Sequence, residues 1–489
     1  MKRWVQAVAL LLLIVCAVWL GVLWFWEQSQ HQPDTRDAVL YLGVLPALLW
    51  IGALLLVGAW GAVVVPARAA AAPVPEPAGA APSAAASSGE AERQRSHTVL
   101  SAHLQVNAGS SAAAVMSALR GGEVRPDLDP ELRDTAGLPI LSGRIPELDL
   151  AALDEALAPW LDGDAASQRL GPRTLRALAA LREPLQRTAQ DLALWPQLLA
   201  DEAHSEAPPA AGPRPQLRVL ALVAPEAPAA ERALVQAWLL HSLVQAGGLD
   251  PDRVRIEPLA ADATTPGALW RAADRLQTAL ARERLPDCLL LVAAGSAVDD
   301  RAVDDWAARG RLFHAQARPK GLMPSEGAAV LALGPSDWPL SPAHEHPLPQ
   351  MHRVAVAERD KSVEAAGRVS SRCLEDTVDH ALRAAGLPAE AVQGLSTDAD
   401  QHSPRNGELF GAVLARLAHL DVNDDMALLG AAAGHLEPAG GLAAVVLAAH
   451  QVMAEGEEAP QHALALSVAH PTERWACVLR RGARTVAPA

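Results

Sequence analysis

Residues 428–442, LLGAAAGHLEPAGGL, place the tightest limit on what this chain can fold into. Small residues crowd both sides of His435, the pair Gly440-Gly441 follows, and an apolar run over 443–450 begins at once. Such a composition lets a backbone pass close to a neighbour, present one imidazole and then start a buried helix. A tight strand-to-helix turn around a packed histidine explains the same residues without any chemistry.

The chain has 489 residues, half of them hydrophobic, and a formal charge of −15, so it can bury a sizeable core and is a poor fit to nucleic acid. No basic patch interleaved with aromatics occurs in it.

Residues 4–26, WVQAVALLLLIVCAVWLGVLWFW, form an apolar segment behind Lys2 and Arg3, long enough to cross a hydrocarbon core of about 30 Å as a helix. It ends in Trp24-Phe25-Trp26 with no A-x-A cleavage pattern, which predicts a retained segment and not a signal peptide. A second, uncharged apolar segment spans 38–65, so the two predict a transmembrane hairpin. Lys2 and Arg3 before the first span and Arg68 after the second put both ends, and the large domain, on the cytoplasmic side. Cys288, Cys373 and Cys477 show no paired spacing, which argues against a disulfide framework and against a zinc ribbon. Residues 66–96 are an Ala/Pro-rich linker that cannot bury a face.

Over 97–489 short apolar runs alternate with amphipathic ones, the mark of an α/β fold. Residues 97–201 read as an N-terminal α/β lobe, with 124–148 irregular because Pro, Gly and Asp dominate there. A second linker at 202–215 leads into a more regular domain at 216–489. Whether 97–201 joins the core of 216–489 is left open at this point.

Three stretches together resemble the β-ketoacyl synthases. Pro324-Ser325-Glu326-Gly327-Ala328 is similar to the P-G-E-G-A motif that starts a strand in that family, with Ser325 in place of a glycine. Gly434-His435 through Gly440-Gly441-Leu442 resembles the G-H-x-x-x-A-G-G-L stretch bearing the family's second active-site histidine. Residues 467–479 stand where its last two strands fall. The resemblance covers about 216–489 and implies a thiolase-like domain, layered αβαβα, behind the transmembrane hairpin. It also implies structural roles for Glu326, Gly327, Gly434, Gly440 and Gly441, and a homodimer through the thiolase-like domain.

The departures bear on activity. Such enzymes need a Cys nucleophile at a helix start, where the dipole and a neighbouring His favour the thiolate. The corresponding helix here opens Thr264-Thr265-Pro266-Gly267 and holds no Cys. Aligned on Glu408, Thr397 stands at the family's first histidine and His402 is out of register, while Gly430 stands at its lysine. A lone histidine has little to activate.

Other constellations are weaker. His344, His346 and His352 lie in a Pro-rich stretch without the i, i+4 spacing of a helical zinc site. The carboxylates Asp299, Asp300, Asp304, Asp305 and those of 421–425 read as solvated helix ends, so no metal and no cofactor is expected. Two readings remain. One is a non-catalytic, membrane-anchored adaptor or scaffold with a protein partner; anchor, tether and degenerate α/β domain are similar in layout to inner-membrane accessory proteins of bacterial type VI secretion, of the lipase-adaptor type. The other is a membrane-tethered acyl-transfer or hydrolytic enzyme that combines His435 with a recruited nucleophile from Ser296, Ser467 or Cys288.

Overall fold

The structure, a computed structural model, describes residues 94–482 apart from 123, 158–169, 200–213, 261–262, 337, 339–347, 455 and 457–458. The apolar segments 4–26 and 38–65, nearly all of both linkers, and His344 and His346 lie outside the described residues. Among the described residues, no helix is long and apolar enough to cross a membrane.

The chain opens with β1 (Ser96–Val106), α1 (Ala112–Gly121) and the strands β2 (Asp127–Arg133) and β3 (Pro139–Ser142). The helices α2 (Leu150–Leu157) and α3 (Pro172–Leu192) follow. Next come β4 (Leu217–Val223), α4 (Ala229–Gly247), β5 (Val254–Ile256), α5 (Pro266–Glu283), β6 (Cys288–Ser296), α6 (Asp300–Ala308) and β7 (Glu326–Pro335). The short strands β8 (Gln350–His352) and β9 (Ala355–Glu358) lead to α7 (Arg372–Ala385), β10 (Gly394–Thr397), α8 (Ser403–Arg416) and β11 (Met426–Leu428). The chain closes with α9 (Leu429–Ala433), α10 (Ala439–Met453), β12 (His462–Ser467) and β13 (Glu473–Arg480).

One pattern occurs twice. In the first half β5, β4 and β6 are parallel, β7 is antiparallel to β6, and β1 is antiparallel to β7. The second half repeats it with β11, β10 and β12 parallel, then β13 and β9 antiparallel in turn. The short β8 pairs with both β1 and β13 and makes the sheet continuous. Helices α5 and α10 precede β6 and β12, equivalent places in the two halves.

Helix α10 is the centre of the packing. Its residues from Ala439 to Val452 are buried apart from His450, and it packs on β1 and β7 of one half and on β10 and β12 of the other. A helix walled on all sides is apolar all round. Hence 443–450 carries no amphipathic period. Gly441 is required at its first turn, because a Cβ there would stand 2.6 Å from the Trp475 ring.

Residues 97–201 do not form a lobe of their own: β1 lies in the middle of the main sheet and α3 packs on β1, β6 and β7. Leu178, Leu181 and Leu185 share one core with Leu290, Val292 and Val330. The stretch expected to be irregular holds the β2–β3 hairpin. The buried Asp129 carboxylate builds it, accepting from the Glu131 and Leu132 N–H groups at 2.9 and 2.8 Å, the Ser142 hydroxyl at 2.6 Å and Arg144 through two nitrogens at 2.9 Å. Burial opposes its ionisation, but Arg144 and these donors hold it far below the ordinary carboxylate range.

Candidate functional site

Two places come first: the start of α5, where the resemblance called for a nucleophile, and the turn just ahead of α10, which carries His435. Helix α5 opens with Thr265 as its cap, the hydroxyl accepting from Ala268 N–H at 3.3 Å, and with Pro266 in the first turn. No acidic side chain lies in that turn. The carboxylate comes instead from Glu473 on β13: it accepts from Gly267 N–H at 3.0 Å, the Thr265 hydroxyl at 3.0 Å and Arg271 Nη2 at 2.6 Å. The first turn of α5 thus holds a fixed carboxylate supplied from β13.

His435 is seated just ahead of α10. Gly434, at φ 82, turns the chain so that the His435 N–H donates to Met323 O at 3.0 Å and the residue bridges Pro324 in parallel fashion. The ring is 5% exposed and meets the Trp306 ring edge-on, at a centroid distance of 5.8 Å. Its Nε2 stands 3.5 Å from Glu437, while Nδ1 stands 3.5 Å from Asp400 and 3.3 Å from Arg405. Arg405, fully buried, pairs with Asp400 at 3.0 Å and with Glu364 at 3.3 Å.

Burial would lower the His435 pKa, but the Asp400 and Glu437 carboxylates outweigh it and raise it. The same contacts overcome burial at the carboxylates: His435 and Arg405 bring Asp400 down to about 2, and His435, His470 and Arg405 bring Glu437 down to about 2. Next to them, burial and the Arg405 charge lower His402 to about 4. The ring nitrogens of His435 are thus turned toward Asp400, Arg405 and Glu437.

These shifts set a pH dependence. The depressed carboxylates contribute stability above about pH 4, the unfolded range of Asp and Glu, which is lost as pH falls toward 2. The raised His435 contributes stability below about 6.5, lost as pH rises through its folded pKa. In urea unfolding across a pH series, the alkaline loss should shrink in His435→Gln relative to wild type. An unchanged alkaline limb in the variant would assign that loss to other groups.

The recruited nucleophiles are engaged elsewhere. The Ser296 hydroxyl, at the end of β6, donates to Glu326 at 2.9 Å and accepts from Val298 N–H at 3.1 Å. The Ser467 hydroxyl donates to the buried Asp398, which also accepts from the Val468 and Ala469 N–H groups at 2.9 and 3.2 Å. Burial nonetheless pushes Asp398 up. Cys288 is fully buried inside β6, and burial raises its thiol well above the ordinary value. None of the three has a hydrogen bond to His435.

Glu326 begins β7 and accepts from Arg176 Nε and Nη2 at 2.6 and 2.5 Å, from Ile145 N–H at 2.9 Å and from Ser296. Gly327 lets β1 approach, since a Cβ there would stand 2.9 Å from Val106. Gly440 lies against Leu436 and Asp398. Thr397 and His402 are buried at the end of β10 and the cap of α8. Asp299 caps α6, accepting from Ala302 N–H at 2.6 Å, and Asp421 accepts within its own turn from Asn423 N–H at 2.8 Å. Among the described residues no group of His, Cys, Asp and Glu is arranged to hold a metal ion.

Sequence reasoning missed Glu473, Asp400 and Arg405. Asp400 and Arg405 stand five apart across a helix cap, where proximity can be inferred. Glu473 lies 206 positions from Gly267 and has no local signal.

No family model matches the chain, and no curated protein matches it in sequence. Solved structures do resemble it in fold. A β-ketoacyl synthase from Burkholderia phymatum STM815 is 13% identical with a TM-score of 0.53, over 80% of this chain and 100% of that one. The ketosynthase ApeO in complex with its chain length factor ApeC, from Xenorhabdus doucetiae, is 10% identical with a TM-score of 0.50, over 79% and 98%. The PfaC keto synthase–chain length factor is 12% identical with a TM-score of 0.50, over 81% and 44%. At these identities the likeness shows the fold alone: a mixed α/β, thiolase-like fold of the ketosynthase kind. It takes in more of the chain than 216–489, in keeping with the place of β1 in the sheet.

Proposed function

We propose that this chain is a non-catalytic ketosynthase-like protein that works as an adaptor or scaffold by binding a protein partner, held at the bacterial inner membrane by 4–26 and 38–65 with the large domain in the cytoplasm. The observation that carries the reading is the Glu473 carboxylate on the first turn of α5, where an acyl-transfer enzyme needs its nucleophile. The buried His435 supports it, since its ring nitrogens face Asp400, Arg405 and Glu437. A protein partner fits the fold, because the ApeO ketosynthase is found in complex with its chain length factor. The layout of anchor, tether and domain makes a type VI secretion effector the partner class to try first.

The test uses the full chain purified from membranes, treated with malonyl and acyl thioesters and with an acyl-phosphonate probe, beside His435→Ala. We expect no CO₂ release, and no adduct by intact mass that depends on His435. An adduct on Ser296 or Ser467 that disappears in His435→Ala defeats the reading. Recovery of the chain in the soluble fraction defeats its membrane part.

A further inference from the structure

Helix α8 carries its charges on the inside. Arg405 and Glu408 have no exposed surface, the first pairing with Asp400 and the second with Arg474. Arg416 turns to α7, where it meets Asp379 at 2.9 Å and Glu375 at 3.5 Å. An outer helix ordinarily shows charged side chains to water and an apolar stripe to the core. The outward face of α8 has no charge at all: Ser403, Gly407, Phe410 and Leu414 follow one another along it at helical spacing. Leu414 is 73% exposed, and Phe410 is half-buried against the core of the second half.

The two glycines of this helix differ in what the fold asks of them. A Cβ at Gly411 would stand 3.0 Å from the Ser371 side chain, so the close approach of α7 accounts for that glycine. At Gly407 a Cβ would meet nothing within 4 Å among the described residues. Glycine weakens a helix interior relative to alanine, and no contact within the chain offsets that loss at Gly407. A second helix crossing there would, because interaxial distance falls with the size of the side chains at the contact. Phe410 and Leu414 then lie one and two turns along the crossing. Beyond the C-terminal end of the face the chain runs through the exposed Asp421, Val422, Asn423 and Asp424. Val422 adds a further apolar side chain, 41% exposed, and the two aspartates add to the partial negative charge of the helix end.

We propose that the outward face of α8 is a docking surface for one helix of the protein partner: an amphipathic helix that lays a Leu/Ala stripe over Gly407, Phe410 and Leu414 and carries Lys or Arg at the end that reaches Asp421 and Asp424. The proposal deepens the adaptor reading by naming its surface, and rests on it. A single exposed leucine is ordinary on a soluble protein. It does not account for a face without charge, or for a glycine that nothing in the chain requires.

The probe is a fluorescein-labelled helical peptide with Leu and Ala on one face, Gln on the other and a run of Lys at one end; its control carries Glu in place of Lys. Anisotropy with the full chain is expected to show saturable binding of the lysine peptide and weaker binding of the control. Leu414→Ser should weaken binding by about tenfold, as for a central anchor. Leu128→Ser, at a similarly exposed leucine on the β2–β3 hairpin, should leave it unchanged. Gly407→Ala separates docking from folding: its unfolding temperature should rise, because the new methyl meets nothing in the chain, while binding weakens. Equal binding of the two peptides overturns the proposal, as does wild-type binding by Leu414→Ser or Gly407→Ala. A dimer of the chain that Leu414→Ser breaks also overturns it, since a second copy then owns the face. A His435-dependent adduct alongside intact peptide binding would sink the non-catalytic reading alone.

Discussion

Glu326→Ala is expected to lower the unfolding free energy by about 3–5 kcal/mol, the usual cost of removing one partner of a buried ion pair. The side chain has no exposed surface, and Arg176 spans it through two nitrogens. Removing it strands a guanidinium that is itself only 12% exposed, together with the Ser296 hydroxyl and the Ile145 N–H. Four segments lose their common anchor: the starts of α3 and β7, the end of β6, and the chain at Ile145. Glu326→Gln should cost less, because the amide oxygen can still accept from Ile145. Urea unfolding gives the comparison, and an unchanged m-value would show that the loss is one of stability and not of compactness. Alanine and glutamine variants of equal stability would mean that the charge on Glu326 contributes little.

Glu408→Gln is expected to cost a similar amount, about 3–5 kcal/mol, by a different route. Glu408 and Arg474 are both without exposed surface, and the carboxylate also holds Arg359 at 2.5 Å. One anion thus serves two cations. Losing the anion leaves two guanidiniums facing each other, whereas Arg474→Met leaves Glu408 still paired with Arg359 and should cost less. Glu408→Leu combined with Arg474→Met should recover part of the loss, since a well-packed apolar pair can replace a buried ion pair at little cost. A larger penalty for Arg474→Met than for Glu408→Gln in equilibrium unfolding would refute this ordering.

Local composition carried much of the fold into view. Helix α10 was legible because only a buried helix tolerates so unbroken an apolar run, and the small residues ahead of it announced the turn at Gly434. The hairpin of β12 and β13 and the strand–helix alternation from β4 to β7 follow from short apolar runs with clear ends. What stayed hidden depends on contacts distant in sequence. Strand β1 reads as a strand, yet nothing within it says that it pairs with β7, more than 200 residues later. The β2–β3 hairpin escaped notice because its Pro and Asp content resembles a loop, while one buried carboxylate, Asp129, organises it. At the site the sequence shows which chemical groups are missing; it does not show what replaces them. Glu473 lies on a different half from the helix it caps, and Arg405 looks like any helix-surface arginine until Asp400 and Glu364 close around it.

The position of β1 also decides how the molecule would bear a mechanical load. The chain reaches the main sheet at Ser96, and β1 runs from there along β7 from the His97↔Pro335 pair to the Val106↔Gly327 pair. Its bonds to β7 lie across the strand direction, as in any antiparallel pair. A pull on the chain before Ser96, directed along the strand, would strain that whole row together in shear. It could not peel the bonds apart one at a time from an edge.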